Sequence, residues 1–594
     1  MAYTPIQIAP GIFADDAPAT TSGRYVASDM VRFHRGQPEV IGGYQLATST
    51  AATGIVRNIL QWSALDGTEL TALASEKRLM ILQGGSLTDI TPAASAGTLL
   101  SNPFAATSGS ATITVTHASH GAVPGQEVAY TSATATAGIS ADALNATHEI
   151  VATPDANSYT ITLGSTATST ASGGGTPAYT VLLAPGFATS TNGVGFGSST
   201  WGDSTWNTAR SVSSVTFRMR LWSLALWGED LLAVADDVGT VVRYDTSAGG
   251  RATTVSGPPA CEQIAVLADS RQLICFSCAS DSMRVDFSDK ADLSDFTPTV
   301  TNSAGSLNIA GGSEIVAVAP VSGRAMAIIT DEAFQLMEFI GGDLVMRVRR
   351  IGNSPSPLGP NSVVESDGQV LYAYDGGVMQ YANGRLQQLP CPIAKTVFDE
   401  IDLTNRRSVQ AGRNAEFNEW VFFYRTADTS GDNDKCLVWH AGEAPAGLVW
   451  STNTLARSGW SDRTVGSQPI GVHPTTGAIY EHDTGTSAAG QPLVASLRTG
   501  DTALPDGSIY TLSSIVPDFV LTGGDALSLT LRTRIAPLGA ITTSGPHTIQ
   551  AGTTVVNTRA TGRYVAYEVT SSSSNLFWRS GNQSVEIEQS GAQR

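Results

Sequence analysis

The sequence predicts an all-β protein: a β-propeller of about six blades, with an inserted small β module and a C-terminal β platform domain. Charged residues make up only 14% of the 594 residues, against about 25% in an average soluble protein, and 60 glycines indicate many tight turns. Hydrophobic residues (42%) are sufficient for buried cores. A hairpin pattern recurs along the chain, and a chain of this length is expected to form several folding units.

The recurring unit is an apolar strand, a short polar turn and a second apolar strand, which indicates a β-hairpin. Beyond residue 320 its copies start about 45–50 residues apart, which is the period of propeller blades. Each unit has an apolar face that only stacked neighbours can bury. Six blades is the best estimate, and five to seven fit the pattern. The hairpins are predicted at residues 70–82, 230–245, 263–277, 325–339, 369–382, 419–440 and 469–482.

Two segments interrupt this rhythm. Residues 104–184 alternate in β fashion within a Thr-, Ala-, Ser- and Gly-rich composition, and their tract 164–176 is typical of an exit linker. The C-terminal residues are rich in β-branched and polar types. The predicted domains are N-terminal strands with the first propeller portion (1–103), the inserted module (104–184), the propeller (185–489) and the C-terminal platform (490–594).

Helix is expected to be scarce. The best candidate is the segment 391–407, in which Ile393, Val397 and Ile401 recur at helical spacing and share one face.

The charge distribution argues against a protein that grips nucleic acid. The formal net charge is −18, and the basic residues form no run longer than a pair, such as Arg349-Arg350. Tight binding of phosphates requires clustered cations. The N-terminus shows no signal-peptide pattern and no apolar run reaches the length of a membrane span. The five scattered cysteines do not form a disulfide framework, so assembly in a reducing bacterial cytoplasm is expected.

Several residue groups resemble chemical sites but favour structural interpretations. Cys275 and Cys278 form a C-x-x-C inside an apolar strand, where residues three apart point to opposite faces, so core packing is expected. His117 and His120, with His148 later in the module, have no accompanying carboxylate cluster.

Two loops also resemble chemical sites. Asp428, Ser430, Asp432 and Asp434 alternate as in a calcium loop, but the central Gly and the closing Glu are missing, which favours a solvated hairpin loop. A Gly-rich run leads into WGDSTW rather than into a helix with a Lys, so it is not a phosphate loop; it contains Gly193, Gly195 and Gly197. We therefore predict no catalytic, cofactor-binding or metal-binding residues, no cofactor and no enzymatic activity.

The last predicted hairpin, 562–588, has two strands around a run of four serines, 571–574. The serines are expected to form an exposed loop tip. Trp578 is expected to be a large buried side chain, and Arg563 and Arg579 to pair with carboxylates. Apolar area is supplied by Tyr564, Tyr567, Phe577 and Trp578.

Several collinear segments resemble the tail nozzle and related packaged-DNA stabilisation proteins (tail tubular protein B-like) of short-tailed bacteriophages, the podoviruses. Together they cover most of the chain outside the inserted module. Separately, THASHGAVPGQEV and PDANSYTITL resemble a small β module that is inserted into many phage virion proteins. The nozzle-like segments are 11–45, 201–211, 220–233, 288–298, 349–381, 384–401 and 558–594.

The resemblance implies a virion structural protein: a homohexameric tail nozzle ring below the portal. Its implied partners are a head-to-tail adaptor protein, tail fibre or spike proteins, and double-stranded DNA that passes non-specifically through the lumen during ejection. The implied location is the tail of the virion. Six copies would carry −108 formal charges, six times −18, so the lumen would not trap DNA on exit.

Two other classes of function fit the composition. A receptor- or carbohydrate-binding tail protein would expose aromatic side chains in grooves, and the tryptophans 201, 206, 222 and 227 are the group to examine. A propeller glycosidase or lyase would have a central pocket with two facing carboxylates.

Overall fold

The fold is described from a computed structural model that covers residues 2–16, 20–190, 217–342, 345–445, 447–466 and 468–591. The chain begins with six short strands that later complete sheets formed by distant parts of the sequence. They are β1 (Ala2–Ile6), β2 (Ala9–Ile12), β3 (Arg24–Asp29), β4 (Val31–His34), β5 (Gln37–Val40) and β6 (Tyr44–Leu46).

The first propeller blade is a four-stranded antiparallel sheet directly after β6. Its second strand is buried along nearly its whole length, as expected for a strand packed on both faces. Its strands are β7 (Val56–Ser63), β8 (Glu69–Ser75), β9 (Leu79–Gln83) and β10 (Ser86–Asp89).

An eight-stranded sheet with its own apolar core follows, in the order β11-β18-β14-β15-β16-β13-β12-β17. It begins at Ala93, ahead of the predicted start at residue 104, because β11 pairs with β18. The alanine- and serine-rich sequence of β11 gave no strand signal. The elements are β11 (Ala93–Thr98), β12 (Phe104–Ala106), β13 (Thr112–Thr116), β14 (Glu127–Thr131), α1 (Ala141–Leu144), β15 (Thr147–Asp155), β16 (Ser158–Thr162), β17 (Ala171–Gly173) and β18 (Ala178–Leu182).

Three further four-stranded blades follow in simple meander order. Blade 2 consists of β19 (Trp222–Trp227), β20 (Asp230–Ala235), β21 (Val242–Tyr244) and β22 (Thr253–Thr254); blade 3 of β23 (Gln263–Leu267), β24 (Gln272–Phe276), β25 (Arg284–Phe287) and β26 (Gly305–Asn308); and blade 4 of β27 (Ile315–Ser322), β28 (Ala325–Thr330), β29 (Ala333–Phe339) and β30 (Met346–Asn353).

Blade 5 follows a 3-10 turn, Pro360–Ser362, and blade 6 follows the helical segment. Blade 5 consists of β31 (Val363–Ser366), β32 (Gln369–Tyr374), β33 (Gly377–Ala382) and β34 (Arg385–Leu389); the helix is α2 (Ala394–Phe398), followed by the 3-10 turn Leu403–Ser408; and blade 6 consists of β35 (Gln410–Asn414), β36 (Glu419–Tyr424), β37 (Lys435–His440) and β38 (Trp450–Asn453).

Blade 7 closes the ring with strands from two parts of the chain. The C-terminal part contributes β39 (Gly459–Ser461), β40 (Ile470–Val472) and β41 (Ile479–His482), and β6 pairs with β41 as the outermost strand. The innermost strands β7, β19, β23, β27, β31, β35 and β39 each contact both neighbours around a closed circle. The described residues therefore form a seven-bladed propeller.

The all-β propeller class predicted from the sequence is confirmed, and the blade number is one higher than the best estimate of six. All seven predicted hairpins occur, and each lies in a different blade. Seven blades lie within the range of five to seven that the sequence pattern allows, and two features make the repeat irregular. The insert lengthens the spacing between blades 1 and 2, and strand β6 of blade 7 comes from the N-terminus.

The platform is built from strands of both chain ends, arranged in three sheets. Their orders are β1-β51-β44-β48, β2-β3-β42-β49-β46-β47 with β43 beside β49, and β4-β5-β50-β45. The C-terminal elements are β42 (Leu493–Thr499), β43 (Thr502–Ala503), the 3-10 turn Pro505–Gly507, β44 (Ile509–Val516), β45 (Phe519–Gly523), β46 (Leu527–Arg534), β47 (Thr542–Ile549), β48 (Val556–Gly562), β49 (Tyr564–Ser573), β50 (Leu576–Ser580) and β51 (Gln583–Gly591).

A single apolar core joins this platform to the propeller. Trp450 of blade 6 and Trp578 of the platform belong to the same cluster, together with residues of blade 5 and of strands β4 and β5. Both tryptophans are fully buried. Burial of apolar surface contributes about 25 cal/mol per Å², so this continuous core stabilises the contact between the two parts.

The predicted helix 391–407 forms only in part. A five-residue helix, α2, and a separate 3-10 turn replace it, while Ile393, Val397 and Ile401 are all buried as expected. Asp402 explains the break, because its carboxylate accepts the backbone N–H of Thr404 at 3.0 Å and begins the second segment as a cap.

The serine run is also different from the prediction. Strand β49 continues through Ser573, so of the four serines only Ser574 lies in the turn before β50, where it is exposed. Ser571 and Ser573 are buried on alternate positions, and the Ser571 hydroxyl accepts the Trp578 indole N–H at 3.0 Å. Hydrogen bonds with buried partners satisfy these hydroxyl groups, so serine can lie inside the sheet. The composition of the segment does not indicate these hydrogen bonds.

Of the two arginines near this hairpin, one forms the predicted ion pair and the other does not. Arg579 forms an ion pair with Glu39 of β5, with Nε 2.7 Å from Oε2. Arg563 forms no ion pair within the residues that the structure describes.

A buried polar network lies between β4, blade 6 and blade 7. The Arg32 guanidinium is 3.1 Å from Glu419 and 2.7 Å from Asp483. Beside it, Arg457 donates to His482 Nε2 at 2.9 Å. Burial and the charges of Arg457 and Arg32 lower the pKa of His482 well below its ordinary value.

Stability should therefore fall on mild acidification. The folded state keeps His482 neutral, whereas the unfolded chain takes up its proton as the pH falls below about 6.5. This contribution to stability is complete above pH 6.5 and declines below it. Urea denaturation at pH 7.5, 6.5 and 5.5 should show this loss, and His482→Gln should show a smaller one. An equal pH dependence in both proteins would refute this assignment.

The insert should be removable without unfolding the rest. Its ends meet, because Leu183 N–H donates to the Pro92 carbonyl at 2.9 Å, and its core is separate. Replacing residues 93–182 by two glycines should leave a soluble protein with one cooperative thermal transition by circular dichroism, since insertions at such sites are tolerated. Aggregation of this variant would show that the propeller depends on the insert.

Candidate functional site: the central cavity of the propeller

A cavity of about 690 Å³ lies within the circle of innermost strands. It is bounded by β7, β19, β23, β27, β31 and β35. Blade 7 contributes little, because Gly459 lets β39 pack directly against β7: a Cβ there would lie 3.0 Å from the Val56 carbonyl oxygen. The cavity therefore lies off-centre, toward blades 2 to 5. Its volume is in the range of small-molecule sites, about 300–1,000 Å³.

Charged side chains gather at one end of this cavity, which we call the mouth. Glu262 and Glu314 immediately precede β23 and β27, and Arg407 lies shortly before β35. Asp236 follows β20, which runs antiparallel to β19, and its carboxylate accepts the Leu221 backbone N–H at 2.9 Å. Because neighbouring inner strands begin at the same end of the cavity, these residues lie together at its rim.

Two arginines face three carboxylates at the mouth. Arg218 Nη1 lies 3.5 Å from Glu314 Oε1 and 3.9 Å from Glu262 Oε2, and these three side chains are 37–47% exposed. Arg407 contacts Asp236 in a more buried ion pair. The Arg407 guanidinium is thus committed to one carboxylate, whereas that of Arg218 is shared loosely between two.

Two of the carboxyl groups at the mouth have raised pKa values, because they are partly buried and lie near other carboxylates. Burial raises the pKa of the Glu262 carboxyl, Arg218 and Arg407 oppose the rise, and the negative charges of Asp236 and Glu314 add to it. Burial likewise raises the pKa of Asp236, against the effect of Arg407. With all five groups ionised, three negative and two positive charges leave the mouth one negative charge in excess.

A buried amide faces the same cavity. Gln410, the first residue of β35, is 8% exposed and lines the cavity. Its Nε2 donates to the Ala411 carbonyl at 3.0 Å, while its Oε1 has no hydrogen-bond partner within the described residues. An unpaired buried acceptor costs about 1–3 kcal/mol, and this oxygen is shielded from solvent as well as from donors of the described residues.

Beyond the mouth the walls are mainly apolar, with Leu224 and Leu226 on β19 and Val316 and Val318 on β27. At the far end the guanidinium of Arg271 lies 5.4 Å from the Trp227 ring. Six residues of β19 span the cavity, a depth of about 20 Å.

Of the four tryptophans proposed for a receptor-binding groove, the two in the described residues are buried. Trp222 is 4% exposed and donates from its indole to the Ser75 carbonyl at 2.8 Å, and Trp227 is 9% exposed. Positions 201 and 206 lie outside the described residues, as does the glycine-rich run with Gly193, Gly195 and Gly197.

Cys275 and Cys278 are free thiols buried in the core between blades 2 and 3, as core packing predicted. The argument from opposite faces was wrong, because both belong to the same cluster, which also contains Cys261. Ser277 has a φ of +54°, which turns the chain and returns Cys278 to the side of Cys275. Burial raises the pKa of Cys278, so this thiol is held protonated.

The histidines of the insert lie in an aromatic cluster. The ring centroids of His117 and Tyr179 are 4.3 Å apart, those of His120 and Tyr159 5.2 Å apart, and His148 lies 6.1 Å from Tyr130. Burial and the nearby His120 lower the pKa of His117.

The predicted solvated loop of four alternating polar residues is only half correct. Asp428 and Ser430 are exposed, whereas Asp432 is buried and pairs with Arg57 of blade 1 at 2.5 Å. Asp434 accepts the Thr426 backbone N–H at 2.8 Å. The carboxylates of Asp432 and Asp434 thus bind different groups of the protein instead of facing one shared cation site.

Sequence reasoning did not identify the mouth residues. A signal was present, because EQIAV (262–266) and EIVAV (314–318) repeat an acidic residue immediately before an inner strand. Only the ring of blades shows that these positions meet. No metal-binding cluster of three or more His, Cys, Asp or Glu residues, and no helix long and apolar enough to cross a membrane, occurs in the described part of the chain.

Neither a protein-family model nor a curated protein sequence matches the chain. Among solved structures, the β-propeller domain of Cps50 (Swd1) from Myceliophteria thermophila is 12% identical with a TM-score of 0.29, covering 45% of this chain and 84% of that one. The phage phi92 endosialidase is 12% identical with a TM-score of 0.19, covering 62% and 63%. An exo-β-1,3-galactanase from Phanerochaete chrysosporium is 8% identical with a TM-score of 0.24, covering 63% and 97%. These TM-scores are too low to support an argument from the neighbouring structures. The arrangement of its own sheets shows that the described part of the chain is a seven-bladed propeller joined to a β platform.

Proposed function

We propose that the chain is a structural subunit of a short bacteriophage tail, of the nozzle type, and not an enzyme. Six copies form a ring below the portal and adaptor that conducts and retains genomic DNA and carries fibres or spikes. The observation that carries this proposal is the continuous core that joins the propeller to a platform made from both chain ends. A ring that holds pressurised DNA needs subunits with such a stabilised contact.

The positions of the resembling segments support the proposal. Residues 11–45 form the N-terminal strands of the platform and β6 of blade 7, and residues 558–594 include most of its last strands. The segment 349–381 joins blades 4 and 5. The nozzle-like segments in the described residues thus fall on the propeller and the platform, whereas the insert between blades 1 and 2 lies outside them; the segment 201–211 lies outside the described residues.

The charge of the chain is compatible with a conduit. The net charge is −18, and basic side chains are neutralised locally, as in the pairs of Arg407 with Asp236 and of Arg579 with Glu39. A lumen lined by such surfaces releases few counterions on contact with DNA, so DNA is not held on exit.

The arrangement of the mouth gives no support to a glycosidase. Glu262 and Glu314 share the Arg218 guanidinium at 3.9 and 3.5 Å, whereas a glycosidase needs two carboxyl groups placed on either side of the scissile bond.

Complementation tests this proposal. A phage that lacks the protein should assemble DNA-filled heads that lose DNA and do not infect, and the purified chain should restore infectivity to these heads. The variant without residues 93–182 shows whether the insert is needed for attachment. Infectious, DNA-retaining particles without the chain would contradict the proposal.

A further inference from the structure

A histidine side chain holds two turns of the insert together. The turn 117–122 follows β13, and the turn 155–157 joins β15 to β16. The Ala122 backbone N–H donates to His120 Nδ1 at 3.0 Å, so Nδ1 is an acceptor and the proton of the neutral ring is on Nε2. Nε2 donates that proton to the Asp155 carbonyl at 2.9 Å. Both hydrogen bonds therefore require the neutral ring. We call the two turns together the latch.

Hydrogen bonds from backbone N–H groups also connect the two turns. The His117 N–H donates to the Asn157 carbonyl at 2.8 Å, and the Ser119 N–H donates to Asn157 Oδ1 at 3.0 Å. The His120 N–H donates to the Ala156 carbonyl at 3.2 Å. Since His120 is only half-buried, protons from solvent can reach the ring that bridges the two turns.

The second histidine of the latch faces the core of the insert. His117 is 8% exposed, and its Nδ1 has no hydrogen-bond partner within the described residues. The centroid of its ring lies 4.3 Å from that of Tyr179, 5.8 Å from that of Tyr159 and 6.0 Å from that of His120. Burial and the nearby His120 lower the pKa of His117. The closed latch thus keeps this ring neutral at a pH where an exposed histidine is protonated.

We propose that the latch is an acid-sensitive device that is closed at neutral pH and opens as the pH falls toward 5.5, while β13 and β16 stay paired. A proton on His120 Nδ1 turns the acceptor of the Ala122 N–H into a donor, so this hydrogen bond is lost. A proton on His117 places a charge without a partner among buried aromatic rings. The device lies within the insert and is independent of the proposed tail function.

The carboxylate of Asp155 faces the latch from the second turn. It accepts the Asn157 N–H at 2.7 Å, which lowers its pKa, and His120 contributes to this effect. Its negative charge favours a proton on the His120 ring, but it cannot restore the acceptor that the Ala122 N–H loses. Burial raises the pKa of Tyr159 to about 12, so this neighbour stays uncharged in the acidic range.

Hydrogen–deuterium exchange of the full chain, read by mass spectrometry, tests the proposal. Peptides that cover the latch are compared with peptides from β13 and β16 at pH 7.5 and pH 5.5, after correction for the intrinsic pH dependence of exchange. We expect the protection of the latch to fall about tenfold, because an open latch takes up a proton below the ordinary histidine pKa of about 6.5. The protection of β13 and β16 should change much less.

Two variants remove the titrating groups, and a third is the matched control. His120→Asn should abolish the pH dependence, because an asparagine oxygen can accept the N–H two residues further on without titrating. His117→Phe keeps an aromatic ring and should make the fall smaller. In blade 7, His473 Nδ1 accepts the Thr475 N–H at 3.2 Å, the same kind of hydrogen bond outside the insert. His473→Asn should therefore leave the response of the latch unchanged.

Three results would overturn the proposal. The first is equal protection of the latch at the two pH values in the wild-type chain. The second is an equal fall in β13 and β16, which would mean that the whole insert unfolds. The third is a wild-type response in a folded His120→Asn or His117→Phe variant, with thermal midpoints to establish folding. Because the two variants are independent, either one decides if the other does not fold.

Discussion

Replacing Trp578 by alanine should destabilise the protein by about 3–5 kcal/mol, because a fully buried side chain is removed and leaves a cavity. The variant also leaves the Ser571 hydroxyl without the indole donor that it accepts at 3.0 Å. Since Trp578 belongs to the core that joins the platform to the propeller, both parts should lose stability together. Chemical denaturation, followed by fluorescence and by circular dichroism, measures the change.

Tyr3→Ala is the matched control for this variant. Tyr3 is an aromatic residue of the same platform, but it is 54% exposed on β1, so its loss should change stability by less than about 0.5 kcal/mol. If Trp578→Ala were as stable as Tyr3→Ala, the proposed joining core would be wrong.

Arg32→Met should have an effect of similar size. The substitution keeps much of the side-chain volume but leaves Glu419 and Asp483, both less than 10% exposed, without their shared guanidinium. Removing one partner of a buried ion pair costs about 3–5 kcal/mol. Because protonation would neutralise the stranded carboxylates, the deficit relative to wild type should shrink as the pH is lowered from 7.5 to 5.

Arg463→Met provides the comparison with an exposed pair. Arg463 and Glu416 are 41% and 40% exposed and 3.2 Å apart, so this variant should lose no more than about 1 kcal/mol and show no pH-dependent recovery. Equal losses for the two arginine variants would mean that the buried network does not hold the propeller to the platform.

The hairpins of the propeller were predictable because their information is local. A stretch such as DLLAVA (230–235), followed by a polar turn and VVRYD, specifies two paired strands without reference to the rest of the chain. The same holds for Trp578, which alternation places on a buried face. The closing strand β6 was not predictable in this way, because its partner β41 lies more than 400 residues away.

The candidate site illustrates the same limit. Each mouth residue precedes or follows a strand as a polar flank, and the repeated acidic residue before the strands of EQIAV and EIVAV does not by itself show that the two positions meet. Their proximity follows from the ring of blades, which places the starts of successive inner strands side by side. The strand position of Ser571 and Ser573 was not predicted for a related reason. Their hydroxyl groups form hydrogen bonds with Trp578 and Asp525, which the local sequence does not place beside them.

We propose that this propeller–platform subunit assembles into a tail ring. The most direct test is negative-stain electron microscopy of the purified chain, with native mass spectrometry of the same sample. The proposal predicts a six-fold ring with an axial lumen wide enough for double-stranded DNA. A monomer under all assembly conditions, or a trimer without an axial lumen, would contradict it.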